Sequence, residues 1–173
     1  DSVKPQWTSP ASDALVEVEC AEQVPAPAQQ IAKDNCGKPL DIEYFEVLAP
    51  GTCSNKFSIT RTWTAEDDCG NAISRTQFVV VNDVKKPNWT TPEPPAVVNV
   101  GCAEDVPNVP WQEAVDNCGQ PVDVELVETE IPGSCLNSYT IVRTWTAEDD
   151  CGNATSLQQT ININDDTDPV FEN

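Results

Sequence analysis

Thr62-Trp63-Thr64-Ala65-Glu66-Asp67-Asp68-Cys69-Gly70-Asn71-Ala72 decides the fold, because it returns letter for letter at Thr144 to Ala154. In an extended chain Trp63 and Ala65 share one face and Thr62 and Thr64 the other, which is the period of a half-buried β-strand. Upstream, Phe57, Ile59 and Arg61 continue the inward phase against Ser58 and Thr60. Asp68-Cys69-Gly70-Asn71 supplies turn formers, and Ile73 to Val81 then alternates again, so the stretch predicts a hairpin.

The repeat extends over the whole chain. Cys20, Cys36, Cys53 and Cys69 reappear as Cys102, Cys118, Cys135 and Cys151, all displaced by one constant interval (102 − 20 = 118 − 36 = 135 − 53 = 151 − 69). Pro5 and Trp7 match Pro87 and Trp89, and Pro169 and Phe171 open a further copy. The expected organisation is one repeat over 1–83, a second over 84–165, and the start of a third over 166–173. A fixed period makes the unit of function an array element and not a single catalytic pocket.

The remaining runs are also strand-like. Val16, Val18 and Cys20 alternate with Glu17 and Glu19, and Val98, Val100 and Cys102 repeat the pattern. After the Asp34 to Gly37 turn, Leu40, Ile42 and Tyr44 alternate with Asp41 and Glu43, matched by Val122, Val124 and Leu126. Nothing sustains a helical period, so the chain reads as all-β: two tandem, small, immunoglobulin-like β-sandwich domains stapled by disulfides.

Strands that run up and down place Cys20 and Cys53 at one end of a module and Cys36 and Cys69 at the other. The expected bridges are therefore Cys20–Cys53 and Cys36–Cys69, with Cys102–Cys135 and Cys118–Cys151 in the copy. Modules of this size sit near the lower limit at which a core suffices alone, so covalent staples are expected. No His and no Cys-x-x-Cys knuckle occurs, which favours disulfides over zinc and an oxidising, extracellular place.

A formal net charge of −20 repels nucleic acid and anionic lipid, and no apolar run approaches the length of a bilayer span. Neither nucleic-acid binding nor direct membrane insertion is expected. Without His, and with its acids on turns, the chain offers no nucleophile and base, so neither an enzyme nor an organic cofactor is expected.

The clustered oxygens suggest Ca2+, which takes six to eight hard ligands from several turns. The junction set is Asn82 and Asp83 with Asp116, Asn117, Glu148, Asp149, Asp150 and Asn153. An equivalent set in the first repeat is Asp34, Asp67 and Asp68, and the next junction offers Asp165, Asp166 and Asp168. The competing account is that Asp and Asn before Gly are ordinary turn formers whose side chains bond their own backbone.

Trp63 and Trp145 are in phase with the core and read as interior pillars, and Arg61 and Arg143, two residues earlier on the same face, are expected either to reach the sandwich edge or to stack on an aromatic ring, that of the strand's Trp being one candidate. Trp111 differs, because its counterpart is Gln29 and the fold does not require it. An exposed aromatic there is a candidate contact for a glycan or partner.

Asp-Asn-Cys-Gly at Asp34 and Asp116, Pro-Gly-x-Cys at Pro50 and Pro132, and Ile-x-Arg-Thr-Trp-Thr-Ala-x-Asp-x-Cys-Gly-Asn at Ile59 and Ile141 carry a family resemblance. The chain resembles the hyalin-repeat-like, immunoglobulin-like tandem repeats of large Bacteroidota surface adhesins, of the gliding-motility type exported by type IX secretion. That resemblance implies a non-catalytic stalk or spacer on the bacterial cell surface, whose partners are neighbouring repeats of the same long protein. Alternatives are a repeat that itself binds polysaccharide or a cell-surface glycan, and an accessory domain of a secreted enzyme.

Overall fold

The computed structural model describes residues 2–134 and 138–165. Cys135, Asp166 and Asp168, and with the last two the start of a third repeat over 166–173, lie outside the described residues. The chain divides into two compact units, Asp1–Val84 and Lys85–Asn173, here called modules 1 and 2. Both are all-β and sandwich-like.

Module 1 contains β1 (Gln6–Trp7), β2 (Leu15–Val18), β3 (Ala32–Lys33), β4 (Pro39–Leu40), β5 (Ile42–Cys53), β6 (Lys56–Glu66) and β7 (Ala72–Asn82). One sheet has the order β2-β7-β6-β5 and the other the order β1-β3-β4. Module 2 repeats this with β8 (Asn88–Trp89), β9 (Val97–Val100), β10 (Ala114–Val115), β11 (Pro121–Val122), β12 (Val124–Pro132), β13 (Ser138–Glu148) and β14 (Ala154–Asn164). Its sheets run β12-β13-β14-β9 and β11-β10-β8.

The hairpin expected from the repeated stretch is β6–β7, paired from Lys56↔Asn82 to Glu66↔Ala72. Its inward phase is as read: Ile59, Trp63, Ala65, Val79 and Val81 are buried, and Trp145, Ala147, Ile161 and Ile163 repeat the set. β-branched and aromatic residues on such a half-buried pleat are what strands favour. Thr60, Thr62 and Thr64, on the other face, are half-buried.

Two features of the sheets are non-local. β2 pairs in parallel with β7, Val16 against Val79 and Val18 against Val81, and β9 pairs likewise with β14. This parallel edge closes the first long-sheet strand of each module onto its last, with most of the module's chain lying between the two. At the opposite edge β5 leaves Phe45, Val47 and Leu48 exposed.

Arg61 and Arg143 correct the stacking expectation. In register, Arg61 lies opposite Glu46 on β5 and Gln77 on β7. Its Nε donates to Glu46 Oε2 at 3.0 Å and its Nη1 to Gln77 Oε1 at 3.3 Å. Arg143 does the same with Glu128 at 2.7 Å and Gln159 at 3.3 Å. Guanidinium groups at such depth need hydrogen-bonding partners more than a ring face, and the flanking strands supply them. The ring beside Trp63 belongs to Tyr44, with centroids 5.3 Å apart, and the cation over an indole is Arg75, 4.8 Å from the Trp7 centroid.

Tyr44 completes this network by donating its hydroxyl to Glu46 Oε2. That hydrogen bond, with Arg61 behind it, holds the Glu46 carboxyl below its ordinary range. Partial burial, and then the same bond, push the Tyr44 hydroxyl up.

Candidate functional site

Each module carries two turns of the type Asp-x-Cys-Gly, and the acids expected to gather a cation lie in and around them. In module 1 Asp34 Oδ1 accepts from the amides of Cys36 at 2.9 Å and Lys38 at 2.7 Å. Asp67 Oδ1 accepts from Cys69 and Asn71, both at 2.9 Å, while Asn71 Nδ2 donates to Asp67 Oδ2 at 2.9 Å. These bonds, the Asn71 side chain foremost, hold the Asp67 carboxyl below its ordinary range. Gly70 closes its turn at φ 84°, in the left-handed region that side-chain-bearing residues avoid.

Module 2 copies these bonds. Asp116 Oδ1 accepts from Cys118 at 2.9 Å and Gln120 at 2.7 Å, and Asp149 Oδ1 from Cys151 and Asn153 at 2.9 Å each. Asp116 and Asp149 are buried, and Asn153 Nδ2 occupies Asp149 Oδ2 at 2.9 Å. Their first role is therefore to brace backbone amides, the turn chemistry that competes with metal ligation. Asn117 and Asp150 sit within the turns, and Glu148 ends β13. Asn82 ends β7; Asp83 follows it, buried, with its amide donating to Asn55 O at 3.0 Å; Asp165 follows β14 and is exposed.

Within a module the two turns are tied together, by different means in the two copies. In module 1 Lys38 Nζ lies 2.6 Å from Asp68 Oδ2, and the hydrogen bond and charge of Asp68 raise the Lys38 pKa. In module 2, where Gln120 replaces that lysine, Cys118 and Cys151 are disulfide-bonded. Asp68 thus has Lys38 as its partner in an exposed surface ion pair.

The second bridge, at the other end of module 1, joins Cys20 and Cys53. The Ala21 amide donates to Asn55 Oδ1 at 2.9 Å, which sets Cys20 beside the β5–β6 turn. The expected Cys36–Cys69 bridge is a correction: both are exposed free thiols, on turns that the Lys38–Asp68 ion pair already joins. Cys102 is likewise an exposed free thiol, and the position of its expected partner, Cys135, is outside the described residues.

Module 2 also holds a cleft with an exposed aromatic side chain. A cavity of about 790 Å³ opens there, with Trp111, Glu113, Asp123, Leu126 and Trp145 in its lining. Trp111 is 78% exposed, whereas Trp145, also in the lining, is 2% exposed. The Trp111 indole N–H donates to Glu113 Oε1 at 3.0 Å. Below it, buried Gln112 donates its Nε2 to the Trp111 carbonyl at 2.9 Å and accepts from Thr91 Oγ1 at 3.0 Å. Sequence reasoning found Trp111 by its mismatch with Gln29 but missed Glu113, which meets the indole from two positions along the chain, and Asp123, which follows β11 across the β10–β11 hairpin and lines the same cavity.

A family model for HYR-like domains with four cysteines matches residues 8–82 and again 90–163. Each match encloses one full set of four cysteines. The chain belongs to this HYR-like family. No curated protein matches the HYR-like chain. Among solved structures it is similar to Drosophila N-cadherin EC1-4, at 13% identity and a TM-score of 0.34, over 92% of this chain and 49% of that one. It is also similar to protocadherin gamma C5 EC1-3, at 12% identity and a TM-score of 0.29, over 93% of this chain and 68% of that one. The HYR-like chain thus spans about half the length of the N-cadherin chain it matches. Among the described residues, no helix is long and apolar enough to cross a membrane.

Proposed function

We propose that the two HYR-like modules are a non-catalytic spacer in the stalk of a bacterial surface adhesin, outside the cell, where they carry reach and tension between an anchor and a binding tip. The carrying observation is that each copy owns a core, repeated at a fixed period with no insertion, and one covalent staple, set at a different place in each module. Such an array adds length one unit at a time and depends only on neighbours. The sequence resemblance to gliding-motility adhesins exported by type IX secretion supports the bacterial setting.

Calcium at the junctions belongs to the same reading. It is supported by the oxygen-rich residues Asn82, Asp83, Asp116, Asn117, Glu148, Asp149, Asp150 and Asn153, a donor set suited to a hard cation. Bound there, Ca2+ would stiffen the linker between modules.

Pulling the two-module chain from its ends tests the spacer. Two separate unfolding events are expected, each releasing a chain shortened by the loop its bridge closes, Cys20 to Cys53 in one module and Cys118 to Cys151 in the other. Reductant then adds roughly 110 Å of contour length per module. A single unfolding event, or no gain on reduction, argues against the spacer. For calcium, metal analysis of protein purified without chelator and small-angle scattering with and without EDTA decide: no bound metal and unchanged scattering eliminate the stiffened junction.

A further inference from the structure

The two modules share their longest motif letter for letter, yet they differ where the cavity of module 2 opens. At equivalent positions of the repeat, Gln29 becomes Trp111, Ile31 becomes Glu113 and Tyr44 becomes Leu126 (111 − 29 = 113 − 31 = 126 − 44). In module 1 the Tyr44 ring lies 5.3 Å from that of Trp63, tilted by 42°. In module 2 the smaller Leu126 stands at that position, and it lines the cavity together with Trp145, which stays 2% exposed.

We propose that this cleft is a carbohydrate-binding site for a neutral β-linked pyranoside whose hydroxyls are equatorial, with Trp111 as the stacking platform. Such a sugar presents an apolar C–H face to an indole and a rim of hydroxyl donors to carboxylates. Both halves are present: the exposed Trp111 face beside Leu126, and the carboxylates of Glu113 and Asp123. The platform is pre-set, since Glu113 holds the indole N–H at 3.0 Å and buried Gln112 holds the backbone carbonyl at 2.9 Å. Less freedom is then lost on binding. A cavity of about 790 Å³ lies within the range of small-ligand sites.

Two other ligand classes fit worse. Acidic sugars meet the carboxylates of Glu113 and Asp123 in a chain of net charge −20. Quaternary ammonium ions are held by cages of several ring faces, and here Trp111 is the exposed ring while Trp145 is 2% exposed.

The test uses the whole 173-residue chain. Titration calorimetry with cellohexaose, glucuronic acid and choline is combined with amide and indole NMR spectra, in which the five Trp side chains are resolved. Cellohexaose is expected to bind and to shift the indole signal that Trp111→Gln removes. Trp111→Gln, which installs module 1's own residue, is expected to weaken binding by about tenfold or more with the melting point unchanged. Leu126→Tyr, which restores the ring of module 1, is expected to do the same by filling the cleft. Failure of cellohexaose to bind at about 10 mM, equal binding by Trp111→Gln, or binding of choline in place of sugar each overturns the site.

Discussion

Replacing Cys20 and Cys53 together by Ser removes the cross-link that closes the chain between those two positions. In the chain-entropy model a loop of that length (53 − 20) stabilises by about 3.7 kcal/mol at 25 °C. Cys20 is 3% exposed, so a serine hydroxyl there costs about 1–2 kcal/mol more, giving a total near 5 kcal/mol. The matching change, Cys118→Ser with Cys151→Ser, opens a loop of identical length (151 − 118 = 53 − 20), but those sulfurs are only half-buried. Its loss is expected to stay near the loop value of about 3.7 kcal/mol.

Each double variant perturbs one module, so calorimetry on the whole chain is expected to show one transition moving while the other stays. The shift is roughly 15–30 °C for a module of this size, larger for the Cys20 and Cys53 pair. A loss under about 1 kcal/mol in either module, or a larger loss in module 2 than in module 1, refutes the reasoning, because equal loops leave burial as the difference.

Three further outcomes follow from the same contacts. Glu46→Ala removes the charged partner of buried Arg61 and is expected to cost module 1 about 1–3 kcal/mol in urea unfolding; Arg61→Met combined with it is expected to recover part of that loss, and strict additivity of the two changes contradicts the pairing. Glu46 and Asp67 both have folded pKa values below their ordinary values of 4.5 and 3.8, so the stability they contribute is present above those values and is lost as pH falls through the lower folded ones. A melting curve flat from neutral pH down through that window, or one equally steep in Glu46→Gln and Asp67→Asn, shows the bonds to be idle. Maleimide added to the folded, unreduced chain is expected to label Cys36, Cys69 and Cys102 and to spare Cys20, Cys53, Cys118 and Cys151; unlabelled Cys36 and Cys69 would mean that they had closed the bridge their counterparts form in module 2.

The period of two along Phe57 to Ala65, the turn formers at Asp67 to Asn71 and the fixed-interval recurrence determined by themselves the all-β class, the β6–β7 hairpin and the buried face of Ile59, Trp63 and Ala65. Those are local properties: alternation and turn chemistry act between residues a few positions apart, and copying multiplies them. Only the tertiary structure decided what lies between elements. The parallel join of β2 to β7, the placing of Arg61 between Glu46 and Gln77, and the contrast between the ion pair of module 1 and the disulfide of module 2 depend on which strands become neighbours. The cleft is partly of the same kind: Glu113, two residues from Trp111, and Asp123, just across the local β10–β11 hairpin, are near it in the sequence, but Leu126 and Trp145 come from the other sheet and join the lining only in the folded module.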